Sequence, residues 1–223
     1  MNTGWRFASR SNWAMSVCIL LTASGCASYT PSAAPQPRHD TLAWHEAGGL
    51  SAAAVPYVDK EAQKANFDAD LDAADVLAIL VVARNGGGEK VLVRPADMSL
   101  RLPDGSSIGT SSATIAANKV GESGSVVAAA VAFGLIGVLV AGSAEDKAKA
   151  SRTADYAGKA LNDSELGPQA SAQGFVYFLP PKGTAAFDAA TLVVSFVDIA
   201  QATRRIVEVP LAGLSFEPGR ADD

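Results

Sequence analysis

The chain has 223 residues and is acidic, with 18 Lys and Arg against 23 Asp and Glu. Nucleic-acid binding normally requires a basic surface that neutralises phosphates, so this balance excludes nucleic acid as a predicted partner. The two cysteines are Cys18 and Cys26. A chain that began at Cys26 would carry 16 basic and 23 acidic residues and could form no internal disulfide.

Residues 1–25 have the three parts of a secretion signal. Two arginines form a cationic head, residues 14–23 are an apolar core, and small residues come just before Cys26. The run ASGC, which ends at Cys26, resembles the lipobox of bacterial lipoproteins, although Ala23 stands where that family most often has Leu.

The lipobox resemblance implies that residues 1–25 are removed and that Cys26 carries acyl chains such as palmitate. These chains would hold the protein on a membrane, because each buried methylene contributes about 0.8 kcal/mol. The next residue is Ala27 instead of the aspartate that marks inner-membrane retention in such lipoproteins. The resemblance therefore implies an outer-membrane protein that faces the periplasm.

Residues 26–50 are rich in Ala, Ser, Pro and Gly and predict the lipidated Cys26 followed by a flexible tether. His39 and His45 lie in this segment, each with an acidic neighbour. A metal site requires a rigid frame, which this composition does not offer, so the sequence predicts no metal there.

Asp68, Asp70 and Asp72 alternate like the first oxygen ligands of an EF-hand loop. The sixth position of that loop is Ala73 instead of Gly, and the twelfth is Ile79 instead of a bidentate Glu. The segment is interpreted as a solvated turn without a metal.

Residues 51–223 are predicted to form a mainly β domain. Residues 57–66 are a short helix or an irregular lead-in, and Gly-rich and Pro-rich turns then separate about seven apolar or alternating runs. Glycines 86–88 predict a hairpin between the first two strands, and Pro103-Asp104-Gly105 predicts another turn. The predicted strands are 76–84, 89–94, 98–102, 107–116, 175–179, 192–199 and 204–211.

This strand pattern resembles the immunoglobulin-like two-sheet sandwiches of uncharacterised bacterial envelope lipoproteins. The runs VLAILVVARNGG, LRLPDG and FVYFLPP carry the resemblance. It implies no catalytic residue, because such sandwiches are mostly binding or scaffold modules.

A helical hairpin is predicted as an insertion at about residues 120–163. Residues 123–144 carry no charge and, as a helix, would be about 33 Å long. Small residues would form one stripe on which another helix could pack: Ala130, Gly134, Gly137 and Ala141. In the second helix, an apolar stripe of Ala150, Ala154, Ala157 and Leu161 is predicted opposite Arg152, Asp155 and Lys159.

Three placements of the apolar helix stay open. It could span the membrane, lie on the anchored leaflet or against a partner's helix, or pack on the sandwich. Spanning would separate the strands before it from those after it and leave unpaired sheet edges.

The sequence lacks a nucleophile elbow, a metal or redox cysteine pair and a phosphate-binding loop. We therefore predict no enzyme, cofactor or metal. The predicted function is a lipid-anchored envelope protein that acts as a binding or scaffold module, with another envelope protein or a second copy as partner. The alternative is a membrane-embedded oligomeric component that associates through residues 123–144.

Overall fold

A computed structural model describes residues 29–124, 144–181 and 189–211. These ranges contain three α-helices: α1, Lys60–Phe67; α2, Ala113–Gly124; and α3, Ala144–Lys159. Short 3-10 turns occur at His39–Thr41, Asp72–Ala74 and Pro95–Asp97. The ten strands are β1, His45–Ala47; β2, Leu50–Pro56; β3, Leu77–Asn85; β4, Val91–Val93; β5, Ser99–Arg101; β6, Ser107–Ser111; β7, Ser164–Leu166; β8, Ser171–Phe178; β9, Thr191–Asp198; and β10, Arg204–Pro210.

The strands form two antiparallel sheets that are joined through β6. Sheet A has the order β1-β2-β3-β8, and sheet B is centred on β9, which pairs with β10 on one edge and with β4 and β5 on the other. Strand β7 extends sheet B beyond β4. Residues 107–109 of β6 pair with β5, and its last two residues pair with β8. The predicted mainly β sandwich with a helical insertion is confirmed, with ten strands in the described ranges instead of about seven.

The middle of sheet A is buried on both faces. Residues such as Ile79 and Val81 point into the core between the sheets, whereas Ala78 and Leu80 point to a second core under the helices. Because successive residues of a strand face opposite sides, β3 requires apolar side chains at every position from 77 to 83, where both faces are buried. This explains the continuous apolar run in that part of the sequence.

The predicted hairpin between the first two strands of the sequence pattern is wrong. Strand β3 pairs with β2 and β8 in sheet A, whereas β4 pairs with β7 and β9 in sheet B. The three glycines of residues 86–88 therefore lie where the chain crosses from sheet A to sheet B. Buried Asn85 holds this crossing: its amide donates to the carbonyls of Glu89 (2.6 Å) and Leu166 (3.0 Å), and its Oδ1 accepts from the Gly87 amide (3.0 Å).

The tight two-residue hairpin lies earlier in the chain, between β1 and β2. Gly48 and Gly49 connect Ala47 to Leu50, which are paired, and their φ angles are 59° and 79°. Two consecutive positive φ angles suit a type I′ turn, which glycine adopts without steric cost. This hairpin lies inside the segment for which the sequence predicts a tether.

The helical insertion begins earlier than predicted. Strand β6 ends at Ser111, and α2 starts at Ala113 instead of near residue 120. The Ser112 hydroxyl accepts a hydrogen bond from the Ile115 amide (3.2 Å), which stabilises the first turn of the helix. Helices α2 and α3 pack against each other.

Several sequence predictions lie outside the described residues. They are the signal over 1–25, the lipidation of Cys26, the apolar helix of 123–144 beyond the end of α2, and its stripe of Ala130, Gly134, Gly137 and Ala141. Within the described ranges, no helix is both long and apolar enough to cross a membrane.

Candidate functional site

The first residues of the described chain lie across the helices of the domain. We call residues 29–36 the strap. The Thr30 amide donates to Asp68 Oδ2 (3.1 Å), just after α1, and the Gln36 side chain accepts from Gln173 Nε2 (2.7 Å) of β8. The strap is therefore docked on the domain, whereas the sequence predicts a free tether over this part of the chain.

Lys159, at the end of α3, holds the centre of the strap. Its side chain is 2% exposed, and its ammonium donates to Ser32 Oγ (2.9 Å), to Asp155 Oδ2 (2.5 Å) and to the Asn66 carbonyl. The Ser32 hydroxyl also donates to the Asn66 carbonyl (2.8 Å). An ammonium has three protons and all three are used here, so Lys159 acts as a fixed cation. It is not arranged as a base for the Ser32 hydroxyl.

Tyr29 is the second attachment point of the strap to α3. Its hydroxyl donates to Asp155 Oδ2 (2.5 Å), and the Arg152 guanidinium carbon lies 5.3 Å from the centre of its ring. Burial, together with the hydrogen bond to Asp155, raises the pKa of the Tyr29 phenol far above its ordinary value of 10.0. The phenol therefore stays protonated and remains a donor at any physiological pH. We call Tyr29, Ser32, Asn66, Asp155 and Lys159 the clasp.

An aromatic floor lies beneath the clasp. Lys159 Nζ is 5.5 Å from the ring centre of Phe67, whose ring packs edge-on against Phe175 at 4.8 Å. Tyr57 also packs edge-on against Phe175, at 4.8 Å, and Tyr156 lies beside Phe67 at 5.1 Å. Cation–π attraction is stronger in a desolvated site, so the Phe67 ring stabilises the buried ammonium.

Asp68 connects the strap to α1. It is the left-handed C-cap of α1, with a φ of 50°, and accepts from Lys64 Nζ (2.5 Å) as well as from Thr30. Burial would raise the pKa of this carboxyl, but the bonds from Lys64 and the Thr30 amide outweigh burial and hold it below its ordinary 3.8.

The other two alternating aspartates have separate partners. Asp70 accepts from the Ala73 amide (3.1 Å), and Asp72 accepts from the buried Gln63 amide (2.8 Å). Burial raises the pKa of Asp72 and Gln63 partly offsets this effect. Across the described ranges, no group of three or more His, Cys, Asp or Glu residues is arranged to hold a metal.

Three of the four residues in the predicted packing stripe of the second helix face the wrong way. Ala150, Ala154 and Ala157 are exposed, whereas Tyr156 and Lys159 are buried. The fourth member, Leu161, lies just after α3 and is buried as predicted. Burying the large tyrosine ring removes more apolar surface from water than burying the alanine methyl groups. The lysine can accompany it because Asp155 neutralises its charge. The sequence pattern does not predict the clasp, because Asp155 and Lys159 lie on what it predicts to be the solvent-exposed face of the helix.

The two histidines near the predicted tether lie apart from the clasp. His39 stacks on Trp44 with ring centres 5.9 Å apart, and the Trp44 indole donates to the His39 carbonyl (3.0 Å). His45 begins β1. This part of the chain is thus an ordered turn and strand.

A small cleft opens beside the end of α3. Its volume is about 200 Å³, and its lining includes Ser111, Ser112, Asn162 and Tyr177. Cavities that enclose drug-sized ligands are typically about 300–1,000 Å³, so this cleft is too small to be such a site. We therefore take the clasp, and not the cleft, as the candidate functional site.

No protein-family model and no curated protein matches the chain. Among solved structures, a functionally unknown protein from Listeria monocytogenes EGD-e is similar over 76% of this chain and 80% of its own. The sequence identity is 12% and the TM-score 0.34, and a likeness at that level carries no argument about fold or function.

Proposed function

We propose that the protein is a lipid-anchored component of the bacterial envelope, facing the periplasm, that acts as a non-catalytic binding or scaffold module. The proposal takes its membrane end from the secretion signal and the lipobox-like run before Cys26. The docked strap is the structural observation that supports it. Clasp bonds begin at Tyr29, three residues after Cys26.

The spacing between Cys26 and Tyr29 determines how close such an anchor lies to the fold. Three residues span at most about 11 Å even when fully extended. With the strap docked, acyl chains on Cys26 would therefore hold the helical layer next to the membrane. Sheet A separates that layer from sheet B, which would be the layer farther from the lipid.

The lipid anchor is tested by Cys26→Ser in the full chain, followed by metabolic labelling with a fatty acid and membrane fractionation. We expect the variant to lose the label and to accumulate as a precursor. Cys18→Ser is the matched control, because Cys18 lies in the apolar core of the signal and should be dispensable. Normal labelling of the Cys26 variant would refute the proposal.

The alternative function is a membrane-embedded oligomeric component, and the uncharged run of 123–144 supports it. Under this alternative, replacing Gly134 and Gly137 together by Leu should dissociate the oligomer, because close helix packing requires small residues. Ala132→Leu, off the predicted stripe, is the control. Crosslinking in intact membranes measures the outcome, and unchanged crosslinks in the double variant would exclude this alternative.

A further inference from the structure

We propose that the strap is a releasable element with a docked and an undocked position, and that exchange between them sets the distance between the membrane and the sandwich. Only the membrane end of this proposal rests on the proposed function of Cys26. The exchange itself is a property of the described residues.

The strap has little to hold it apart from the clasp. None of its eight residues is buried: Tyr29, Ser32 and Pro35 are half-buried, and the other five are exposed. Its apolar contact is the half-buried Tyr29 ring, which packs at the edge of the core under the helices. The other contacts are polar, made by the Tyr29 and Ser32 hydroxyls and the Thr30 amide. Segments with few buried apolar contacts open locally at a small fraction of the free energy of global unfolding.

The charged side chains beneath the strap keep other partners when the strap leaves. Lys159 would lose Ser32 but keep Asp155 and the Asn66 carbonyl, both of which belong to the helical layer. Asp68 would lose the Thr30 amide but keep Lys64. Opening therefore strands no buried charge, and water can replace each lost hydrogen bond at the surface.

Undocking would change the reach of the anchor substantially. In the docked position, the first fixed residue is Tyr29, within about 11 Å of Cys26 along the chain. In the undocked position, it is His39 at the start of the ordered turn before β1, 13 residues from Cys26. A flexible chain of that length has a root-mean-square span of about 20 Å and a maximum of about 45 Å.

Hydrogen exchange measured in increasing low concentrations of urea tests whether the strap opens alone. We expect the Thr30 amide, which is hydrogen-bonded to Asp68 when the strap is docked, to exchange through a local opening whose rate is insensitive to urea. Amides of β3 should exchange only through global unfolding, with a steep urea dependence. The same steep dependence in both segments would overturn the proposal, because the strap would then open only with the whole fold.

A release variant provides a second arm of that measurement. Tyr29→Phe combined with Ser32→Ala removes three clasp hydrogen bonds: Tyr29 to Asp155, Ser32 to the Asn66 carbonyl, and Lys159 to Ser32. We expect the Thr30 amide to exchange at least about tenfold faster while β3 is unchanged. Tyr57→Phe is the control, because it removes a hydroxyl from the same aromatic floor but takes no bond from the clasp. Unchanged strap exchange in the release variant would contradict a clasp that holds the strap.

Energy transfer then measures the distance from the membrane. Gln201→Cys, in the exposed turn between β9 and β10, provides a labelling site on the acylated full chain reconstituted in vesicles that contain an acceptor lipid. We expect lower transfer in the release variant than in the natural chain or the Tyr57→Phe control. Equal transfer despite faster exchange would refute the role in membrane distance. If the protein is not acylated, the proposed function is wrong. The hydrogen-exchange measurements would still decide whether the strap is releasable.

Discussion

Lys159 and Asp155 form a buried ion pair on α3, one turn apart, with Nζ and Oδ2 separated by 2.5 Å and side chains 2% and 7% exposed. Both partners also bind the strap, through Ser32 and Tyr29 respectively. The pair thus stabilises the helical layer and attaches the amino-terminal part of the chain to it.

We predict that Asp155→Asn destabilises the fold by about 3–5 kcal/mol, because the ammonium of Lys159 would be left buried without a counter-charge. Adding Lys159→Met to that variant should recover most of the loss. The free energy of unfolding in urea measures both changes. Lys64→Met, at a pair whose lysine is 69% exposed, is the control and should cost at most about 1 kcal/mol. An Asp155→Asn loss no larger than the control would contradict the ion pair.

Gly174→Ala should destabilise the domain by several kcal/mol, because a Cβ at this position of β8 would lie 2.6 Å from the Leu161 Cα and 2.7 Å from the Ala160 carbonyl carbon. These are backbone atoms and cannot move independently. Gly158→Ala is the contrasting substitution. It lies exposed in α3 with no atom within 4 Å of a new Cβ, and we expect a gain of up to about 1 kcal/mol. Thermal unfolding should separate the two variants clearly, and equal midpoints would contradict the close crossing at Gly174.

We predict that Asn85→Ala costs at least about 2 kcal/mol, because it leaves carbonyls of Glu89 and Leu166 without their donor where the chain crosses between sheets. Asn162→Ala is the control, since the longer contact of that exposed amide, 3.4 Å to the Ala160 carbonyl, should contribute little. Urea unfolding of both variants provides the comparison. Matching losses would show that the crossing does not depend on Asn85.

The contribution of Asp68 to stability should disappear in acid. Its pKa in the folded chain lies below the ordinary 3.8, so the stabilisation is complete above about pH 5 and is lost as the pH falls through the folded-state pKa. The difference in unfolding free energy between the natural chain and Asp68→Asn should be constant from about pH 5 to 8 and shrink in more acidic buffer. Asparagine tolerates the left-handed φ of this position, so backbone strain does not obscure the comparison. If this difference in unfolding free energy instead increased in acid, the lowered pKa of Asp68 would be contradicted.

The sequence predicted the sandwich well because its signals are local. Alternation around Leu100 and the Pro103-Asp104-Gly105 turn predict β5, its turn and β6, and Gly105 has a φ of 86° as a tight turn requires. The strands of residues 175–211 also lie close to their predicted ranges. Period-two burial and turn chemistry act within a few residues, so one sequence suffices to detect them.

Tertiary structure decided which strands pair and where polar residues are buried. A glycine run after β3 is equally compatible with a hairpin and with a crossing between sheets. The crossing is stabilised by the bond from Asn85 to the Leu166 carbonyl, which lies in a distant segment of the chain. The clasp joins Tyr29 to Asp155 and Ser32 to Lys159, residues more than 120 positions apart. Residue type alone assigned Lys159 to the solvent, because charged side chains are costly to bury. Only the fold could supply the carboxylate, carbonyl and hydroxyl that make its burial favourable.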